Sequence, residues 1–317
     1  MKNNAIEIID LVKHFGHFRA VDVLTMQVET GTIHGFIGPN GAGKTTTMKI
    51  ITGALSPSSG SVLIKGYTAG TIEAKRLIGF SPEFPNFYSD MSALKYLTFM
   101  GSVSGLTYRE SIRKAAELLD FMNLTAFRNK MVVKFSAGMK KKVGLAQAMM
   151  HNPEILLLDE PTANLDPTAR LEIMDDLKKL VLEANLTVLI SSHVLAELEQ
   201  IVSNISLINK GKLVIGGSLM EIRSKFAKGK FTISTSNNQL MADTLVKAEI
   251  VSSSKFDEQG RLMIITQKPD EFKRFVSKIA CDNEIVVNFI SEEDISLDSI
   301  YKSVILGIGE DENVANI

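Results

Sequence analysis

The chain reads as α/β, with buried parallel strands alternating with amphipathic helices ahead of a smaller α+β portion. Three features carry this reading. Short aliphatic runs closed by turn residues recur at "TIHGFIG", "EILLLDEP" and "LTVLISSH". Helical patterns fill the intervals between such runs, and after Gly217 the texture changes to brief β-like runs and further helices. At 317 residues the chain exceeds the size at which one core usually stops growing, so two domains are expected, at 1–217 and 218–317.

"AIEIIDLV" (5–12) and "AVDVLTMQVETG" (20–31) alternate apolar and polar residues with period two, as half-buried strands do. Residues 32–38, 154–161 and 186–193 are more continuously apolar, which suits strands buried in a parallel sheet. Helical patterns run over 44–52, stopped by Gly53, and over 91–103, 108–124 and 137–152, with Pro153 beyond the last. "ISLINKGKLVIGG" (205–217) reads as a hairpin turning at Lys210 and Gly211. Beyond it, "FTIST", "AEIVSSS", "RLMIIT" and "EIVVNFI" alternate with helical stretches at 239–247, 269–280 and 297–306, a βαββαβ order. The acidic residues 310–312 read as a solvated end.

Composition narrows the partners. With 35 basic against 36 acidic side chains, a polyanion-binding surface is not the main business, and no nucleic-acid partner is expected. The single cysteine, Cys281, cannot form an internal disulfide, and the start "MKNNAIEIID" has no charged-then-apolar leader, so a reducing cytoplasm is the expected compartment. No run of about 18 apolar residues is present. Association with a membrane would come through another polypeptide.

"GPNGAGKT" (38–45) fits glycine, any four residues, glycine, lysine, then serine or threonine, between an expected strand and an expected helix. Glycines permit a bend in which backbone N–H groups point inward, and the helix N-terminus adds positive potential toward the same point. Gly38, Pro39, Asn40, Gly41, Ala42, Gly43, Lys44, Thr45 and Thr46 thus form a candidate phosphate cradle. Within it, Lys44 would reach the β- and γ-phosphates, and the Thr45 hydroxyl would sit on Mg2+. "ILLLDEP" (155–161) delivers two adjacent carboxylates at a strand end: Asp159 suits the metal, and Glu160 can act as base toward water.

With "FSAGMKKKVGLAQAM" (135–149) added ahead of that acid pair, the order of motifs resembles the ATP-hydrolysing subunit of ABC transporters. The resemblance covers residues 5–217 and implies a P-loop NTPase ABC-cassette fold, with a mixed sheet core, an antiparallel β subdomain and a helical subdomain. It places Ser136 and Gly138 in the signature segment that holds the ATP of a second cassette, and Phe15 against adenine. It puts Glu83 in the loop that touches Mg2+ and the membrane partner, residues 163–166 at the dimer interface, and His193 as the sensor of the γ-phosphate. The implied cofactors are ATP and Mg2+. The implied partners are a second ATP-binding subunit, in a homodimer, and an integral membrane permease that would hold the chain peripherally at the cytoplasmic face of the membrane.

Three residues depart from the family's common wording: Ala137 for glycine, Met139 for glutamine, and Glu83 for glutamine. They keep one further reading open, a non-hydrolysing nucleotide-binding regulatory module; a soluble ABC-type mechanochemical ATPase is a separate alternative, whose usual twin cassettes, long coiled coils or zinc modules the sequence does not show. Ordinary readings stand beside the functional ones. Phe15 is also a plausible core aromatic, and His193 a strand-end cap. Lys140 to Lys142 read as a solvated helix face, and His14, His17, His34 and His151 as surface or packing residues.

Overall fold

The computed structural model describes residues 4–184, 186–227, 229–292 and 295–306, so the acidic residues 310–312 lie outside the described residues. The chain divides into two compact units, Met1–Leu219 and Met220–Ile317.

In the first unit, period-two patterning produces a long hairpin. β1 (Asn4–Phe15) and β2 (Phe18–Glu29) pair antiparallel from Asn4↔Glu29 to Phe15↔Phe18, burying Ile6, Ile8, Leu24, Met26 and Val28. β3 (Ile33–Ile37), buried along its whole length, leads through residues 38–43 into α1 (Lys44–Ile51). β4 (Ser59–Ile64) and β5 (Tyr67–Thr68) extend the hairpin into a sheet of order β2-β1-β4-β5. α2 (Ile72–Leu77), capped by Thr71, runs into β6 (Ile78–Ser81). α3 (Ala93–Val103) is capped by Ser92, and α4 (Tyr108–Phe121) opens on a Thr107–Glu110 capping box. Both pack with α5 (Ala137–Ala148), which starts at the Ser136 cap. β7 (Ile155–Asp159), α6 (Pro167–Ala184), β8 (Thr187–Ser192), α7 (Leu195–Leu198), β9 (Asn204–Asn209) and β10 (Lys212–Ser218) complete the unit.

The second sheet has the order β10-β9-β3-β8-β7-β6, parallel from β9 to β6. Only β10 runs antiparallel, turning from β9 at Lys210 and Gly211, both at positive φ (47° and 81°). β6 lies so close to the end of α5 that a Cβ on Gly79 would meet the Ala148 carbonyl oxygen at 2.1 Å. β4, β5, β6, α2, α6, α7 and the helix at Leu219–Ala227 are not among the elements read from the sequence. β4 and β6 are short and carry an interior glycine, which blurs a strand pattern. α6 had a start signal, since Asp166 accepts from the Ala169 N–H and Pro167 follows it. α5 ends at Ala148, short of the expected 152, because Met149 to Asn152 turn toward β7 through bonds such as Asn152 N–H to Met149 O.

α8 (Leu219–Ala227) begins on the last residue of the first unit and continues in the second, which then takes up β11 (Lys230–Thr235), α9 (Asn238–Lys247), β12 (Ser253–Phe256), β13 (Leu262–Ile265), α10 (Pro269–Asp282) and β14 (Val287–Glu292). Its sheet has the order β12-β13-β11-β14 with every pair antiparallel. Alternate residues Phe231, Ile233, Leu262 and Ile264 face Leu245 of α9 and Phe272 of α10 in one core. β12 starts later than the apolar run at 248–254 because Ala248 caps α9 and Glu249 turns at φ 54°. α11 (Leu297–Tyr301) continues into a π-helical turn, Lys302–Leu306.

His34, on β3, is 2 % exposed, and its Nε2 lies 2.9 Å from Ser206 Oγ. Burial pushes its pKa down to about 4, with Glu29 opposing. The folded chain therefore keeps the ring neutral while the unfolded chain takes a proton near pH 6.5. Stability is fully present above that pH and is lost as the pH falls toward 4. Wild type should lose about 3 kcal/mol across that window in denaturant titrations followed by circular dichroism. His34→Gln, which retains a polar group toward Ser206 and does not titrate, should lose measurably less.

Candidate active site

Four neighbouring parallel strands, β3, β8, β7 and β6, end on the same edge of the sheet. Residues 38–45 follow β3, His193 follows β8, Asp159 and Glu160 stand at the end of β7, and Glu83 follows β6. Ligand sites of α/β sheets gather at such carboxyl ends because every connecting loop there is free to carry side chains.

The cradle is bent by local chemistry. Gly43 precedes α1 at φ 105°, a left-handed conformation, and a Cβ there would meet the Ala20 carbonyl oxygen at 2.5 Å. No side chain caps α1, so the N–H groups of its first turn stay available to an anion. Lys44 folds back over the loop, with Nζ 2.6 Å from Gly38 O and 3.3 Å from Pro39 O. Glu160 Oε1 lies 3.8 Å from the same ammonium. Burial lowers the Lys44 pKa, opposed by the charges of Glu160, Asp159 and Glu83 in that order.

The carboxylates have separate partners. Asp159 accepts from Thr45 Oγ1 at 2.8 Å and from Ser191 Oγ at 2.6 Å. Glu160, at φ 48°, accepts from His193 through Oε2, with Nδ1 at 2.8 Å and the backbone N at 3.3 Å. Both acids are buried, whereas the His193 side chain is 56 % exposed. Ser191 was missed in the sequence. It sits opposite Asp159 in the β7–β8 register and also accepts from the Glu160 N–H at 3.0 Å. Its position two residues before His193 was the only available signal.

The lysine run is not a solvated face. Lys141 and Lys142 are buried, since their long stems carry the ammonium groups inward to oxygen partners. Lys141 Nζ lies 2.5 Å from Glu83 O and 2.7 Å from Glu160 O, and Lys142 Nζ lies 2.8 Å from Glu172 and 3.6 Å from Asp176. Burial lowers the Lys141 pKa, with Glu83 the first opposing charge, then Glu160 and Asp159.

Other candidates stand apart from this cluster. Ser136 caps α5, its Oγ accepting from Met139 N at 3.2 Å. Ser136 and Gly138 line a hollow of about 370 Å³ with Asp166 and Thr168 among its walls and no residue of the 38–45 loop. Phe15 is half-exposed at the tip of the β1–β2 hairpin, with Lys13 Nζ 5.3 Å from its ring centroid.

A triphosphate held in such a loop, beside a carboxylate able to take a proton from water, is the working arrangement of the P-loop ATPases. The ABC transporter family profile matches residues 21–163. The uncharacterized ABC transporter ATP-binding protein YxlF of Bacillus subtilis (strain 168) is 38% identical over 72% of this chain and 76% of its own length. The bacitracin transport ATP-binding protein BcrA of Bacillus licheniformis is 33% identical over 95% of this chain and 97% of its own. The dimeric cassette MJ0796, in a post-hydrolysis state bound to ADP and Pi, matches 68% of this chain and 98% of its own with 25% identity and a TM-score of 0.62. The chain belongs to the ABC transporter family and is an ATP-binding, ATP-hydrolysing subunit of it. No helix among the described residues is long and apolar enough to cross a membrane.

Because Ser191 supports both acids, Ser191→Ala should lower kcat by about tenfold or more while the affinity for ATP stays near wild type. Steady-state phosphate release and calorimetric titration with nucleotide check the two parts. Equal kcat in the two proteins would show that Thr45 and the backbone suffice to hold the acids.

Proposed function

We propose that two copies of the chain meet head to tail and that the pair drives a separate multi-span permease, which holds it at the cytoplasmic face of a membrane. The observation that carries the dimer is the separation of the two anion sites. The Ser136 and Gly138 hollow has no wall from the 38–45 loop, so the two sites do not close on one nucleotide within one hollow of the chain. The likeness to a dimeric cassette supports the same reading.

In this reading the 38–45 loop binds the phosphate chain, Lys44 offsets its terminal charge, and Phe15 stacks on adenine. Hard oxygen donors suit Mg2+, and the hydrogen-bonded Thr45 hydroxyl and Asp159 carboxylate supply them, with Glu83 within the same field of charge. When bound, the ion would neutralise charge on the phosphates. Glu160 orients the attacking water and accepts its proton. His193 holds Oε2 of Glu160, and its exposed ring is free to sense the γ-phosphate. Ser136 and Gly138 hold the same nucleotide from the opposite subunit, through the dipole and N–H groups at the start of α5.

Glu160→Gln should cut phosphate release by about a hundredfold or more while nucleotide still binds, since a general base contributes on that scale. Size-exclusion chromatography of that variant with ATP should give a dimer, and Ser136→Arg should abolish it. A monomer at all protein concentrations would remove the head-to-tail reading. Lys44→Ala should abolish ATP binding in titration calorimetry, and unchanged affinity would overturn the cradle assignment. Copurification of a multi-span protein from membranes tests the permease.

A further inference from the structure

We infer that Lys141 is a positioning residue of the ATPase, whose ammonium ties the backbone of the Glu83 loop to the backbone of Glu160. The inference rests on the proposed role of Glu160 toward water and goes beyond it by naming what holds that residue in place. Lys141 lies on α5 and is 8 % exposed. Its ammonium donates to Glu83 O at 2.5 Å and to Glu160 O at 2.7 Å. Both acceptors are main-chain oxygens, from the segments that follow the neighbouring parallel strands β6 and β7.

The state of the Glu160 backbone explains why this matters. At φ 48° it occupies the left-handed region, which crowds a residue with a Cβ and persists only where the surroundings over-determine it. Its N–H is held by β8, through Ser191 O at 3.2 Å and Ser191 Oγ at 3.0 Å. Its C=O is held by α5, through Lys141. Glu160 is therefore clamped on both flanks by elements that are not its own, and the α5 clamp is shared with Glu83. Displacing the Glu83 loop or α5 relative to β7 strains or breaks these bonds. Both of those elements face a different proposed partner, the loop a permease and the start of α5 a second cassette. One ammonium group thus links both partner surfaces to the geometry of the base.

The test uses the full chain, with Lys141→Met, which keeps the length and removes every donor, and Lys141→Arg, which restores donors. Lys141→Met should lower kcat by about ten- to a hundredfold, the scale set by small misplacements of a catalytic group, with KM and calorimetric ATP affinity within about threefold of wild type. Lys141→Arg should recover most of the loss. Combined with Glu160→Gln, Lys141→Met should lower turnover little further, because both changes act on one residue. Wild-type kcat in Lys141→Met, a matching rise in KM, or full additivity with Glu160→Gln would overturn the inference. If the Met variant does not fold, Lys141→Ala, which also removes every donor, carries the test: a fall in kcat at unchanged KM supports the inference, and an unchanged kcat overturns it. A wild-type chain with no phosphate release, alone or with its permease, would instead sink the hydrolytic reading itself.

Discussion

The Asp159 carboxylate is the point on which the site is assembled. It is 3 % exposed, and a charge so buried persists only when it is paired and hydrogen-bonded. Thr45 Oγ1 satisfies one oxygen and Ser191 Oγ the other, so the start of α1, the end of β7 and the end of β8 share a single acceptor. Fixing three elements with two short bonds leaves little freedom for the loop between β3 and α1. The same serine then fixes the N–H of the next residue, Glu160, so the two adjacent acids are positioned together.

Strand order makes that clamp available. β3, β8, β7 and β6 are neighbours in the sheet although the chain visits them in a different sequence, with α3 to α5 inserted between β6 and β7. Parallel neighbours need crossover connections, and here one long crossover holds the helical layer that carries Ser136 at one end and Lys141 within. The close approach of Gly79 to Ala148 sets the end of α5 against β6, and further back along the helix Lys141 reaches the Glu83 carbonyl oxygen. The departures at Ala137 and Met139 look mild against this frame. The cap on α5 is made between the Ser136 hydroxyl and the Met139 N–H, and neither side chain takes part in that bond.

The buried lysines change how α5 is understood. A stretch of three lysines carries one ammonium to two backbone carbonyls and another to Glu172 and Asp176, where burial raises the Asp176 pKa against the pull of Lys142. The sequence reads as a solvated face because composition records the charged head and not where a four-carbon stem can place it.

By itself the sequence determined what depends on short separations: the glycine-bent loop at 38–45, the helix that must follow it, the aliphatic strands, and an acid pair at the end of one of them. Backbone preference and side-chain alternation act over a few residues, so these features survive reading without neighbours. Only the tertiary structure decided that Ser191 faces Asp159, that Lys141 joins Glu83 to Glu160, that Glu160 sits at positive φ, and that the Ser136 hollow lies away from the cradle. Each of those depends on which strands lie side by side and in what register. Such pairing is chosen by burial across the whole sheet, and residues far apart in the chain carry no local mark of it.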